Sequence, residues 1–377
     1  MGRVQFPFWA ASINATIKRR ISVFADSGVH CDSSASRKPV AHLINAKLSL
    51  QLLWFMDRWC GVLNVPLHPL ARSCYRVAAS LCLSPTSKTL IVPSANAIFF
   101  GGDRVAGTGN EVVDRLSDLQ NIAEILVSKI GGSVNAWVIE ASDFNGPFAV
   151  YKDFIPSVNQ WGEPELYCPD GYPASGSIVS LLSSFLEEVK SHIVRQKALP
   201  SPGISTSHFS QPKILIFGFS KGGTVLNQIV TELGFSDIEL SRDELMEEKE
   251  ISMEEDIHII PRTKETLLTS IREIHYVDVG LNSPGAYITD DGAIEKISKR
   301  LTQVDKGICF ILHGTPKQWR DSRRSWICDE KDKLVDLLEY EAQRSGGKLQ
   351  VCEKFYFADR SPDLQMHFEI IEKLDVS

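Results

Sequence analysis

Residues 214–230 read ILIFGFSKGGTVLNQIV, and they constrain the fold more than any other part of this 377-residue chain. Four apolar residues run into the turn Gly218-Phe219-Ser220-Lys221-Gly222-Gly223, and a helical pattern follows at once. A phosphate-cradling loop would need GxxxxGK[ST], with a lysine placed to reach the phosphates. Gly218 and Gly223 have that spacing, but Thr224 stands where the lysine is needed, and Ser220 breaks the GxGxxG dinucleotide pattern. The pattern G-x-S-x-G is met at every position by Gly218, Ser220 and Gly222. Such a strand-to-helix turn is so sharp that its serine takes a strained backbone and its neighbours two positions away must be small. The turn lifts the hydroxyl out at the carboxyl edge of a sheet. It also leaves the N–H of Lys221 at a helix N-terminus, facing the place where a developing oxyanion would sit.

The rest of the chain supplies the sheet that such a turn requires. Short apolar runs at 90–92, 97–100, 136–140, 214–217, 274–279, 308–312 and 354–357 alternate with helical spacing at 111–130, 177–194, 329–340 and 368–374. Strands joined by helices long enough to cross over predict an α/β protein, a doubly wound, mostly parallel sheet covered on both faces. Two segments break the rhythm. Residues 142–175 have no clear period but hold seven aromatics, among them Tyr151, Trp161 and Tyr167, which argues for a packed loop, a cover over a substrate pocket, or both. Residues 237–256 carry ten Asp/Glu against two Lys/Arg, a net −8 that predicts a solvated insert.

A neutral serine is a weak nucleophile and needs a base and an acid, which follow it in the order Ser, Asp/Glu, His in this architecture. Among the later histidines, His275 sits at an expected strand start, the wrong end, and His313 ends the 308–312 run in a backbone-packing position. His367 follows the final strand candidate across a loop and begins the last helix, which is where the base belongs. Two carboxylates compete for the acid. Asp278 ends one strand; Asp321 lies in the loop after the next, farther past Gly314 than the usual short spacing, where Lys317 stands instead. Either strand end can orient His367, and both assignments stay open. The second oxyanion donor is expected from the loop after 97–100, where Gly101 and Gly102 let backbone N–H groups approach a substrate.

Composition narrows the remaining classes. Hydrophobic content of 43% and charged content of 23% suit a globular chain with a large core. The net charge of −7 is uneven: residues 1–55 carry +5 and 237–256 carry −8, so the body is nearly balanced and offers no basic, aromatic-interleaved face for nucleic acid. Eight scattered cysteines form no CxxC or Cys/His spacing suited to zinc, so no metal or cofactor is expected and a reducing, intracellular compartment is the default. No run reaches the length of a membrane span; the nearest, 48–65, is interrupted by Asp57 and Arg58. Residues 1–55 are read as a basic, unstructured extension whose Arg- and Ser-containing, acid-poor composition also suits an organelle transit peptide.

The elbow, the Gly-Gly loop, the late histidine and the alternating pattern together resemble the α/β-hydrolase superfamily over about residues 88–377. More narrowly, residues 96–103, 218–223, 276–280 and 315–326, with His367 and Phe368, resemble a eukaryotic family known after an open reading frame on human chromosome 2. Its recognisable sequence begins here near residues 56–63 (MDRWCGVL), which sets the expected domain at 56–377. The resemblance implies a serine-hydrolase-like fold with Ser220 and His367 as triad members. It also implies a mitochondrial association, as for the family's vertebrate members, with a cytoplasmic location as the alternative; it names no substrate. The expected activity is hydrolysis of an ester, thioester or amide of a small-molecule or lipid-like acyl compound, the alternative being a non-catalytic scaffold that binds a partner or lipid.

Overall fold

The computed structural model describes residues 57–68, 73–105, 107–196, 211–235 and 259–376. The expected basic extension and acidic insert lie outside the described residues. Along the chain run β1 (Arg58–Pro66), β2 (Cys74–Cys82), β3 (Ala95–Phe100), α1 (Glu111–Leu116), α2 (Leu119–Ile130) and β4 (Val134–Ile139). Two small hairpins, β5 (Asp143–Asn145) with β6 (Phe148–Val150) and β7 (Ser157–Val158) with β8 (Pro164–Leu166), precede α3 (Pro173–Gln196). Then come β9 (Lys213–Phe219), α4 (Gly223–Phe235), α5 (Lys264–Ser270), β10 (Ile271–Val277), α6 (Asp291–Thr302) and β11 (Ile308–Gly314). The chain closes with α7 (Pro316–Trp319), α8 (Trp326–Arg344), β12 (Leu349–Phe355) and α9 (Leu364–Lys373).

Eight strands form one sheet in the order β1-β2-β4-β3-β9-β10-β11-β12. Every pair from β4 to β12 is parallel, and β2 alone runs against its neighbours. The central strands are apolar on both sides, as in the wholly buried β3 (ANAIFF) and β4 (VNAWVI), because helices cover both faces. One face packs against α3, α4, α6 and α8, the other against α1, α2 and α9. This is the doubly wound sheet of α/β-hydrolase type, with the 142–175 segment inserted after β4.

Several boundaries differ from the sequence expectation. The sheet begins at Arg58 rather than near residue 88, because β1 and β2 form an antiparallel edge ribbon whose apolar positions alternate instead of running on. The run at 90–92 is no strand: Leu90 makes a lone bridge to Leu83, and Pro93, with no N–H to give, ends the pairing. The 111–130 pattern splits at Ser117, since Asp118 caps α2 by accepting from Asn121 N. β10 starts three residues early, at Ile271, so His275 sits well inside it and not at its start.

Candidate active site

Parallel pairing brings the ends of four strands level. Phe100 of β3 pairs with Gly218, and Val277 of β10 pairs with both Phe219 and His313. The next residues along each strand therefore emerge at one carboxyl edge, where ligands of open α/β sheets bind. Ser220 follows β9 with φ +52, the left-handed backbone that a non-glycine residue adopts only when its surroundings enforce it. They do: a β-carbon at Gly218 would stand 2.6 Å from the Leu226 side chain and 2.7 Å from Gly222 O, while one at Gly222 would strike Phe100 O and one at Gly223 the Val279 side chain. The turn closes as a short 3₁₀ step, Ser220–Gly222, into α4, whose residues from Gly223 to Gly234 are all buried.

His367 lies in the first turn of α9, which Asp363 caps by accepting from Met366 N. Its Nδ1 is 2.6 Å from Oδ2 of Asp278, and the Phe219 ring stands against it at 4.6 Å. A carboxylate only accepts, so the Nδ1–H donates, and in the neutral ring Nε2 on the other side is the acceptor. Asp278 is fully buried, has φ +44, and takes two further hydrogen bonds, from Thr315 N at 2.7 Å and Thr315 Oγ1 at 3.0 Å. Three donors fix this buried carboxylate in place. Thr315 was not singled out from the sequence, although a threonine before Pro316 is a helix-capping signal.

Asp321, the other acid candidate, is not joined to His367. It caps the turn Ser322–Arg324 and accepts from Arg323 Nε at 3.1 Å and Arg324 Nε at 3.2 Å. Those hydrogen bonds, the Arg323 side chain first, hold its carboxyl down at about 2. His313 and His275 are buried, 3.0 Å from one another, and neither lines the cleft beside Ser220.

The Gly-Gly loop needs one correction. Gly101 N–H donates to Ile139 O at 3.0 Å, because the β3–β4 ladder runs one residue beyond Phe100. Gly101 therefore cannot be an oxyanion donor, and Gly102 is the glycine at the serine: a β-carbon there would stand 2.6 Å from Ser220 Cβ and 3.1 Å from its Oγ. Among the described residues neither the Gly102 N–H nor the Lys221 N–H has a hydrogen-bond partner.

Residues 142–175 brace this edge rather than cover it. Tyr151, fully buried, donates its hydroxyl to Gly101 O at 2.8 Å. Asp103 Oδ1 accepts from Ala149 N at 2.8 Å and pairs with Lys221 Nζ at 3.1 Å. The same buried ammonium donates to Trp161 O at 2.6 Å and lies 4.6 Å from the centre of the Phe148 ring. Glu163, also buried, accepts from Asn282 N and Ser283 Oγ, each at 2.7 Å. A cleft of about 470 Å³ opens beside Ser220 and His367, with Asp103, Lys317 and Phe368 among its walls, and no residue of 142–175 lines it. Among the described residues no group of three or more His, Cys, Asp or Glu is arranged to hold a metal ion, and no helix is long and apolar enough to cross a membrane.

Strand order, elbow and covered sheet define an α/β-hydrolase fold. The family profile of C2orf69 matches residues 186–343, a span that holds the motif residues 218–223, 276–280 and 315–326. The chain is 27% identical over 268 residues to a mitochondrial protein C2orf69 homolog of Danio rerio, a match covering 68% of this chain and 64% of that relative, less than two thirds of its length. It is 24% identical over 324 residues to the mitochondrial protein C2orf69 of Homo sapiens, covering 74% of each. Distant likenesses among solved structures include a siderophore hydrolase, EstA, of Aspergillus nidulans (14% identity, TM-score 0.38, 92% of this chain and 98% of that one). An S-formylglutathione hydrolase of Agrobacterium tumefaciens is another (10%, 0.37, 85% and 94%).

Proposed function

We propose that the protein is a serine hydrolase that cleaves an ester, thioester or amide through an acyl-enzyme on Ser220. His367 Nε2 takes the proton as Ser220 Oγ attacks the carbonyl carbon, and returns it to the departing alcohol, thiol or amine. Water then attacks the acyl-enzyme by the same route, releasing the acid and restoring the serine. Asp278 holds the imidazole in the tautomer that accepts at Nε2 and stabilises the imidazolium that forms. The N–H groups of Gly102 and Lys221 receive the oxyanion. The observation that carries the reading is the 2.6 Å contact of His367 Nδ1 with a buried, triply hydrogen-bonded Asp278, in the same cleft as a serine at φ +52. A buried carboxylate held by three donors, one of them an imidazole that lines the same cleft as a strained serine, supports a chemical role over a packing one. Several relatives bear the name mitochondrial protein, which supports a mitochondrial location for this chain as well.

A broad fluorophosphonate probe tests the proposal, since it reacts only with a serine whose proton is taken by a base. Wild type should be labelled and Ser220→Ala should not. A folded wild type that neither reacts with the probe nor hydrolyses simple 4-nitrophenyl esters would overturn the reading in favour of a hydrolase-like scaffold binding a partner or lipid.

A further inference from the structure

The cleft beside Ser220 has an unequal charge distribution. Its wall from residue 317 to 324 brings in Lys317, Arg323 and Arg324 against one carboxylate, Asp321. Asp321 is shared by both arginines, and Arg324 also reaches back to Lys317 O, so the three cations stand on a braced segment. Lys317 itself is half-buried and makes no ion pair among the described residues. The cleft's remaining charged pair, Asp103 with Lys221, is internally neutral. In a chain whose net charge is −7, the mouth of this one cleft thus keeps an excess of positive charge. Gathering like charges raises their energy in the empty protein, and a bound anion removes that cost. Val105, Leu364 and Phe368, also in the lining, offer the apolar contact that an acyl chain takes.

We propose that the compound cleaved at Ser220 carries an anionic group, a carboxylate or phosphate, which Lys317 and Arg324 hold at the mouth of the cleft while its carbonyl lies at the serine. The inference rests on the hydrolase reading and names the substrate class of that same site. Lys317 is two residues past Thr315, the partner of Asp278, so the anion and the reacting carbonyl would be set from one short piece of backbone. Arg324 has its Nε and Nη2 on Asp321 and Lys317 O and offers Nη1 and its charge to the anion, with Lys317 as the point charge beside it.

The test compares mono-4-nitrophenyl glutarate, which carries a carboxylate, with 4-nitrophenyl valerate, a neutral ester of similar length. Wild type should favour the glutarate in kcat/KM by at least about tenfold at low salt, a preference that should shrink as salt screens the charges. Lys317→Ala should lower that preference, mainly through KM, and Lys317→Glu should lower it further. Lys317 makes no side-chain hydrogen bond among the described residues, so folding should persist, and thermal melting checks it. Glutarate and inorganic phosphate, each added as a competitor at constant ionic strength, distinguish the two anions: the stronger inhibitor names the group. A ratio near one that is indifferent to salt, with the neutral ester still cleaved and the probe still bound, overturns this inference alone. Failure of both esters together with the probe overturns the hydrolase reading and this inference with it.

Discussion

At the residue scale the question is which carboxylate serves His367, and the answer lies in what each one already holds. Asp278 is buried, receives Thr315 through both N–H and hydroxyl, and has its second oxygen on His367 Nδ1. Asp321 is occupied by two arginines and a capping bond. Exchanging Asp278 for Asn keeps the shape but presents an amide that can hold the imidazole in the wrong tautomer. Asp278→Asn should therefore cut kcat about 10²–10⁴-fold in a steady-state ester assay. Asp321→Asn should leave most of kcat on a neutral ester in place, since its carboxylate contacts Arg323 and Arg324 and not His367. If the two variants exchange these behaviours, the acid has been assigned to the wrong strand end.

Among elements, β10, β11 and the residue after β12 share a polar line, buried at its two histidines, that the proposed chemistry does not use. Its hydrogen bonds have one consistent direction. Glu273, a carboxylate, accepts from His275 Nε2 at 2.9 Å; His275 Nδ1 then accepts from His313 Nε2 at 3.0 Å; His313 Nδ1 accepts from the Tyr356 hydroxyl at 3.0 Å. The pattern needs both imidazoles neutral. Burial pushes His275 below its ordinary value, and burial, then His275 and Lys354, push His313 well below it. The unfolded chain takes up protons near pH 6.5 that the folded chain refuses, so stability should fall as pH drops below that point. Each histidine that stays neutral adds at most about 1.4 kcal/mol per pH unit to the slope. Urea unfolding from pH 7 to 5 should show a shallower decline for His275→Gln, whose amide can both donate and accept without titrating. An unchanged slope would mean that these histidines charge freely in the fold.

For the whole molecule, the aromatic segment and the elbow behave as one assembly. Tyr151, Ala149, Trp161 and Glu163 tie residues 142–175 to Gly101, Asp103, Lys221 and the loop after β10. Lys221 holds the centre of this arrangement, being 1% exposed with its ammonium on Trp161 O and Asp103. Lys221→Met keeps the aliphatic stem, leaves Trp161 O without its donor and takes the cation from Asp103, whose Oδ1 keeps only Ala149 N. It should lower stability by about 1–3 kcal/mol, measured by urea or thermal unfolding. Amide hydrogen exchange should also speed up within 142–175. Unchanged exchange there would mean that the segment stands without the elbow's help.

The elbow, the alternating order and the late histidine were legible in the sequence because each depends on local chemistry: glycines where β-carbons would collide, apolar runs of strand length, a capped final helix. The edge ribbon β1–β2 was not, since antiparallel pairing at an edge leaves a weak apolar signal that only the partner strand completes. Whether the 142–175 rings cover the cleft or pack beneath its edge was likewise open, because a non-periodic aromatic segment fits either role. Tertiary structure also decided what sequence order cannot: which of the two carboxylates contacts His367, and which glycine N–H is left without a partner among the described residues. Those outcomes depend on register across the sheet, where one more rung of the β3–β4 ladder occupies Gly101, and on the close approach of Thr315 to Asp278 from an adjacent strand end. Such distances are set by how strands align through space, and a linear order of residue types carries no measure of them.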